Sequence, residues 1–121
     1  MGLDSFAARS PEGGLTAEDE RAFAAAEIDL CGGMYSDGTV SFRGKVYSTA
    51  IEPVSGVSIY QRWIAPPELR AIAEAFDRCD PETVERWMAD EPDRTTAEEV
   101  LQLRAFFDIC RDRGLGLVGW W

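Results

Sequence analysis

The chain reads as a single α+β domain spanning 1–121: an antiparallel β-meander sheet joined by terminal strands, with three to four helices packed mainly on one face. Three observations carry that reading. The length of 121 residues suits one domain, and 45% hydrophobic residues are enough to fill one core. The first half alternates apolar and polar residues between turn signals. The second half shows apolar stripes at helical spacing with capping residues at their ends, then a short glycine-rich apolar run.

The elements follow in order. Residues 2–9 suit a first strand, with Leu3, Ser5 and Ala7 on one side and Asp4, Phe6 and Ala8 on the other. The Ser-Pro-Glu-Gly-Gly run at 10–14 is a turn, and Thr16 is an N-cap followed by acids that the helix dipole favours. That helix runs to about Ala26. Residues 31–64 are expected to be β. Asp37-Gly38 is the strongest hairpin signal, since a type I′ turn needs positive φ at both central positions. Val40, Phe42 and Val46 would face one way, and Ser41, Arg43 and Lys45 the other. Gly44 marks a bulge or second turn in this strand, 53–56 another turn, and 57–64 a further strand.

Helices follow. Pro66 and Pro67 open one with a stripe of Leu69, Ile72, Phe76 and Cys79. Asp80 and Pro81 start another, with Val84, Trp87 and Met88 as its apolar face. Thr96 and Glu99 form a capping box opening the longest helix, which carries Val100, Leu103, Phe106, Phe107 and Cys110 and stops at Gly114. Leu101, Ala105 and Ile109 make a second stripe, as expected of a helix buried between layers or covering a partner. Residues 115–121 form a final strand, interior or paired with the first.

Charge and composition restrict function. With 12 Lys+Arg against 22 Asp+Glu the net charge is -10, which disfavours nucleic acid and anionic membrane surfaces as partners. Residues 16–30 carry -4 of it and 66–99 carry -7, whereas 31–65 sum to +1. The absence of histidine excludes Ser-His-Asp and Cys-His nucleophile systems and HExxH zinc sites. Three cysteines without a CxxC pair or a secretory signal imply a reduced, cytoplasmic protein. Gly114-Leu-Gly116-Leu-Val-Gly119 matches the dinucleotide fingerprint by letter only. It follows a helix instead of a strand and has no acidic residue beyond it. Its glycines read as room for neighbouring aromatics. The acidic 90–93 loop lacks calcium-loop spacing, so no metal and no cofactor are expected.

Two sets of candidate residues remain. Ser41, Arg43 and Lys45 on one strand face, with Cys31, Tyr35 and Trp63, combine cations, hydroxyls and a thiol suited to an anionic small ligand. Cys31 is the sole candidate nucleophile, without a histidine to activate it. Trp120 and Trp121 alternate across the final strand, so one ring is expected in the core and the other against a helix, a ligand or another subunit. The balance favours a non-catalytic binding or interaction protein, offering an acidic helical surface to a basic protein partner or associating with itself as a homo-oligomer. The alternative is an anionic-ligand binder or thiol enzyme around Cys31, Arg43 and Lys45.

Overall fold

A computed structural model describes residues 2–121, and among them the chain forms four strands and five helices. These are β1 (Asp4–Ala8), α1 (Ala17–Ala25), β2 (Ser41–Arg43), α2 (Gly44–Ser55), β3 (Trp63–Ile64), α3 (Pro66–Arg78), α4 (Pro81–Trp87), α5 (Ala97–Arg113) and β4 (Gly116–Trp120). All strand pairs are antiparallel, in the order β2-β1-β4-β3. The first and last strands form the centre of the sheet, as the sequence indicated, with Asp4 opposite Trp120 and Ala8 opposite Gly116.

The expected meander across 31–64 is not formed. Only three residues of its first strand and two of its last are β, and these lie at opposite edges of the sheet. Between them runs α2, where alternating strand and turns were expected. Tyr47, Ala50 and Ile51 are buried and Val54 packs against them, the i, i+3, i+4, i+7 spacing of an amphipathic helix. Val46, Tyr47, Thr49 and Ile51 have strand propensity, but burial of this stripe outweighs it. Gly44 is the turning point, though as the first helical residue rather than a bulge. A Cβ there would stand 2.5 Å from the Ser5 hydroxyl and 2.8 Å from Leu3, so only glycine lets the chain enter the helix against β1.

α1 and α5 begin where their capping residues say. Thr16 and Thr96 each accept from the backbone N–H three residues on, and Asp19 and Glu99 return the bond to the cap backbone. Gly114 closes α5 in the left-handed conformation at φ 68°. Asp80 precedes Pro81 as expected, but its side chain bonds the Thr83 hydroxyl instead of a backbone N–H.

One face of the sheet, bearing Phe42, Ala7, Leu117 and Ile64, meets α3 and α5 in the core. Phe42 packs edge-on against Tyr47, Phe106 and Phe107, while Phe76 and Phe23 extend the aromatic cluster. Arg104 of α5 donates to the carbonyls of Phe76 and Cys79, which satisfies the end of α3 and locks the two helices together. The second stripe of α5 is split: Ala105 and Ile109 pack against the core, whereas Leu101 is exposed. Trp87, placed on the apolar face of α4 by its spacing, is also exposed, while Val84 and Met88 are buried.

Candidate functional site

Antiparallel register assigns the opposite face of the sheet. Ser41, Phe6, Val118 and Trp63 lie directly across all four strands, and Arg43, Asp4 and Trp120 form the adjacent row. Phe6, Val118 and Trp63 are half-buried and Trp120 is 62% exposed. Gly116 makes this face possible, because a Cβ there would stand 2.4 Å from the Trp63 ring and from the Ile64 carbonyl. Of the glycines in 114–119, Gly116 is the one that makes room for an aromatic ring.

Two concavities open on this side. A groove of about 660 Å³ runs over Phe6, Val118, Trp63 and Trp120, rimmed by Glu12, Glu20 and Arg62. A second cavity of about 490 Å³ is bounded by Asp4, Met34, Tyr35, Arg43, Trp120 and Trp121. Trp120 is the wall shared by both. Among the described residues, α2–α5 contribute no lining to either.

Neither terminal tryptophan enters the core, contrary to the alternation argument. Trp120 points to the open face, and Trp121, one residue beyond the strand, is 49% exposed with its ring edge-on to Tyr60 at 6.1 Å. The position that would have faced the core is Gly119. A Cβ there would meet the Gln61 carbonyl at 2.2 Å, so the segment leading into β3 passes too close for any side chain.

The other candidate residues are divided. Tyr35 and Arg43 share the second cavity, and Trp63 lines the groove. Ser41 is buried and acts locally: its hydroxyl accepts from the Asp37 N–H at 3.0 Å and donates to the Asp37 carboxylate at 3.1 Å. Asp37 and Gly38 form a turn, but one closed by these side-chain bonds and by the Leu30 N–H donating to the Gly38 carbonyl, not a hairpin. Lys45 stands exposed on α2 and does not share a strand face with Ser41 and Arg43, because the strand ends at Arg43. Cys31 is exposed. Its carbonyl accepts from the Arg43 N–H at 2.8 Å, and its own N–H donates to the Tyr47 hydroxyl at 2.8 Å.

That tyrosine anchors the region. Wholly buried, its hydroxyl donates to Glu99 at 2.7 Å while accepting from Cys31, and burial pushes its ionisation well above the ordinary range. The 27–40 segment is tied down a second time by Asp4. The carboxylate is buried at 7% exposure and accepts from the Ser36 hydroxyl at 2.5 Å, and that hydroxyl in turn accepts from the Gly33 N–H at 2.7 Å. A Cβ on Gly33 would collide with the Asp4 oxygen at 2.2 Å, so glycine is what allows the loop to close over the strand.

Asp4, Phe6, Arg62 and Val118 were not foreseen as site residues. Period-2 alternation did place Asp4 and Phe6 on one side of β1, but nothing in the sequence says which side stays uncovered. Asp108 is the carboxyl held near neutrality, raised to about 6 by burial and by Asp77, yet it lies between α3 and α5 and lines neither concavity. Among the described residues no group of three or more metal-ligating side chains occurs, and no helix is long and apolar enough to cross a membrane. No protein-family model, no curated protein and no solved structure matches the chain. The functional reading therefore rests on this geometry.

Proposed function

We propose that this is a non-catalytic binding protein whose docking surface is the open face of the sheet, and whose partner is a basic segment of another protein. The observation that carries the reading is the row of Phe6, Val118 and Trp63, with Trp120 beside it, left uncovered by α2–α5. Apolar area of this kind, bordered by polar side chains, characterises interaction surfaces. Tryptophan and tyrosine supply the anchoring contacts in such interfaces at low entropic cost. The charge of -10 and the carboxylates of Glu12 and Glu20 on the rim favour lysine or arginine approaching the rings, where cation–π contact adds to ion pairing. A second copy of the chain is disfavoured as occupant, because it would bring another charge of -10 to the same surface.

Tryptophan fluorescence titrated with extended peptides about ten residues long tests the proposal. Arginine- and lysine-rich sequences with interspersed apolar residues are expected to bind, and acidic sequences of equal length are not. Affinity should fall as salt shortens the Debye length from roughly 10 Å at 0.1 M to roughly 3 Å at 1 M. Trp120→Ala should weaken binding roughly 30-fold, the loss expected at an interface anchor. Equal binding of acidic and basic peptides would overturn the proposal, as would binding of none or binding unchanged by Trp120→Ala. A dimer in sedimentation that Trp120→Ala abolishes would place a second copy on the face instead.

A further inference from the structure

The cavity on the far side of Trp120 has a chemistry that peptide docking does not use. Asp4 and Arg43 are direct cross-strand partners, which puts their α-carbons roughly 4.5–5.5 Å apart. Opposite charges so placed ordinarily form an ion pair. Here, among the described residues, they do not come within ion-pair distance, and both line the same cavity of about 490 Å³. Asp4 is more than nine-tenths buried, and the Ser36 hydroxyl is the only group among the described residues that donates to its carboxylate. A carboxylate offers about four acceptor sites, so most of its capacity is unfilled. Arg43 is exposed and brings a planar fork of donors that fits a carboxylate in bidentate fashion. Tyr35, Trp120 and Trp121 supply apolar walls around this charge pair.

We infer that this cavity binds a zwitterionic α-amino acid, with its ammonium on Asp4, its carboxylate on Arg43 and its side chain against the tryptophans. The two ligand charges flank one carbon and match two protein charges presented side by side on adjacent strands. The ammonium supplies the donors that the Asp4 carboxylate lacks among the described residues, and the carboxylate occupies a guanidinium that makes no ion pair among them. A simple anion would leave Asp4 unfilled and repelling it, and a simple cation would face Arg43. The cavity volume falls within the ~300–1,000 Å³ usual for small-ligand sites. The aromatic walls select an apolar side chain, with leucine, phenylalanine and tryptophan as the probes. The inference does not depend on the docking reading, since free amino acids enter one cavity and basic peptides cover the neighbouring groove.

Calorimetric titration of the full chain with these three amino acids tests it, alongside N-acetylphenylalanine, phenylalaninamide, 2-phenylethylamine and 3-phenylpropionate. At least one free amino acid should bind, and each derivative lacking one charge should bind roughly tenfold more weakly or worse. Asp4→Asn keeps an acceptor for Ser36 while removing the charge, and Arg43→Gln alters an exposed side chain. Both should lose amino-acid binding at least tenfold while unfolding at the wild-type temperature. Binding of the amine or the acid as tightly as phenylalanine would overturn the inference, as would no binding of any probe at millimolar concentration. Undiminished amino-acid binding by both variants would do the same.

Discussion

Asp19 and Arg113 are 94 residues apart in sequence, yet the arginine Nε donates to the aspartate carboxylate at 2.7 Å and joins the start of α1 to the end of α5. Asp19 is fully buried and also receives two hydrogen bonds from Arg9 and one from the Thr16 backbone N–H. One side chain thus completes a helix cap and ties β1's exit, α1 and α5 into one unit. The Arg9 bonds, helped by Thr16 and Arg113, hold its carboxyl far below the usual carboxylate range despite the opposing cost of burial.

Because the folded state lowers this acid below its unfolded value of about 3.9, the unfolded chain takes up the proton first. The stabilisation is therefore complete at neutral pH and drains away as pH falls from about 5 towards 1. Asp19→Asn should cost about 3 kcal/mol at pH 7, since it strands two guanidiniums. It should also flatten the acid limb of a plot of urea midpoint against pH. An acid limb unchanged by the substitution would show that other carboxylates govern acid unfolding.

Asp108 has the opposite sign. One of its oxygens is buried without a hydrogen bond, although Arg111 lies 3.3 Å away, and burial together with Asp77 raises its pKa to about 6. The folded state holds this proton more tightly than the unfolded chain, so stability falls as pH rises from about 4 through 6. Asp108→Asn should raise stability at pH 7 by about 1 kcal/mol after allowance for solvent screening, and should have little effect at pH 4. Thermal unfolding at the two pH values reads both; equal effects at both would refute the assignment.

The three cysteines are all free and differ in accessibility. Cys31 is exposed, Cys79 is half-buried with its thiol on the Phe76 carbonyl at 3.2 Å, and Cys110 is fully buried, where burial pushes thiolate formation far up. An aromatic disulfide reagent at pH 8 should label Cys31 first and reach Cys110 only when denaturant opens the core. Peptide mass mapping of the labelled sites checks the order. Labelling of Cys110 in native buffer would mean that α5 opens locally.

Elements whose decisive contact is local were legible in the sequence. Thr16 and Thr96 cap their helices within three residues, Gly114 stops α5 by its own backbone conformation, and the α3 stripe of Leu69, Ile72 and Phe76 is buried as spaced. Residues 44–55 were not legible, because β-branched residues there favour a strand in isolation. The stripe from Tyr47 to Val54 gains its burial only against α3 and the sheet, which local propensity cannot register. The candidate site was legible by residue type more than by arrangement. Tyr35, Arg43, Trp63, Trp120 and Trp121 line the concavities, but Lys45 left the group once its strand became a helix, and Asp4 gained its place only through Ser36 and Gly33.

What the amino-acid order determined by itself is the class of the domain, the starts of α1, α3, α4 and α5, the glycine stop of α5 and the concentration of acid in two stretches. Each of these depends on neighbours in sequence or on the period of burial. Tertiary structure alone decided which face of the sheet remains open. Alternation creates two faces on every strand, but only the docking of α3 and α5 on one of them leaves Phe6, Trp63 and Trp120 on the other. The same register brought Asp4 beside Arg43, because residues 39 positions apart become neighbours only when β2 pairs with β1.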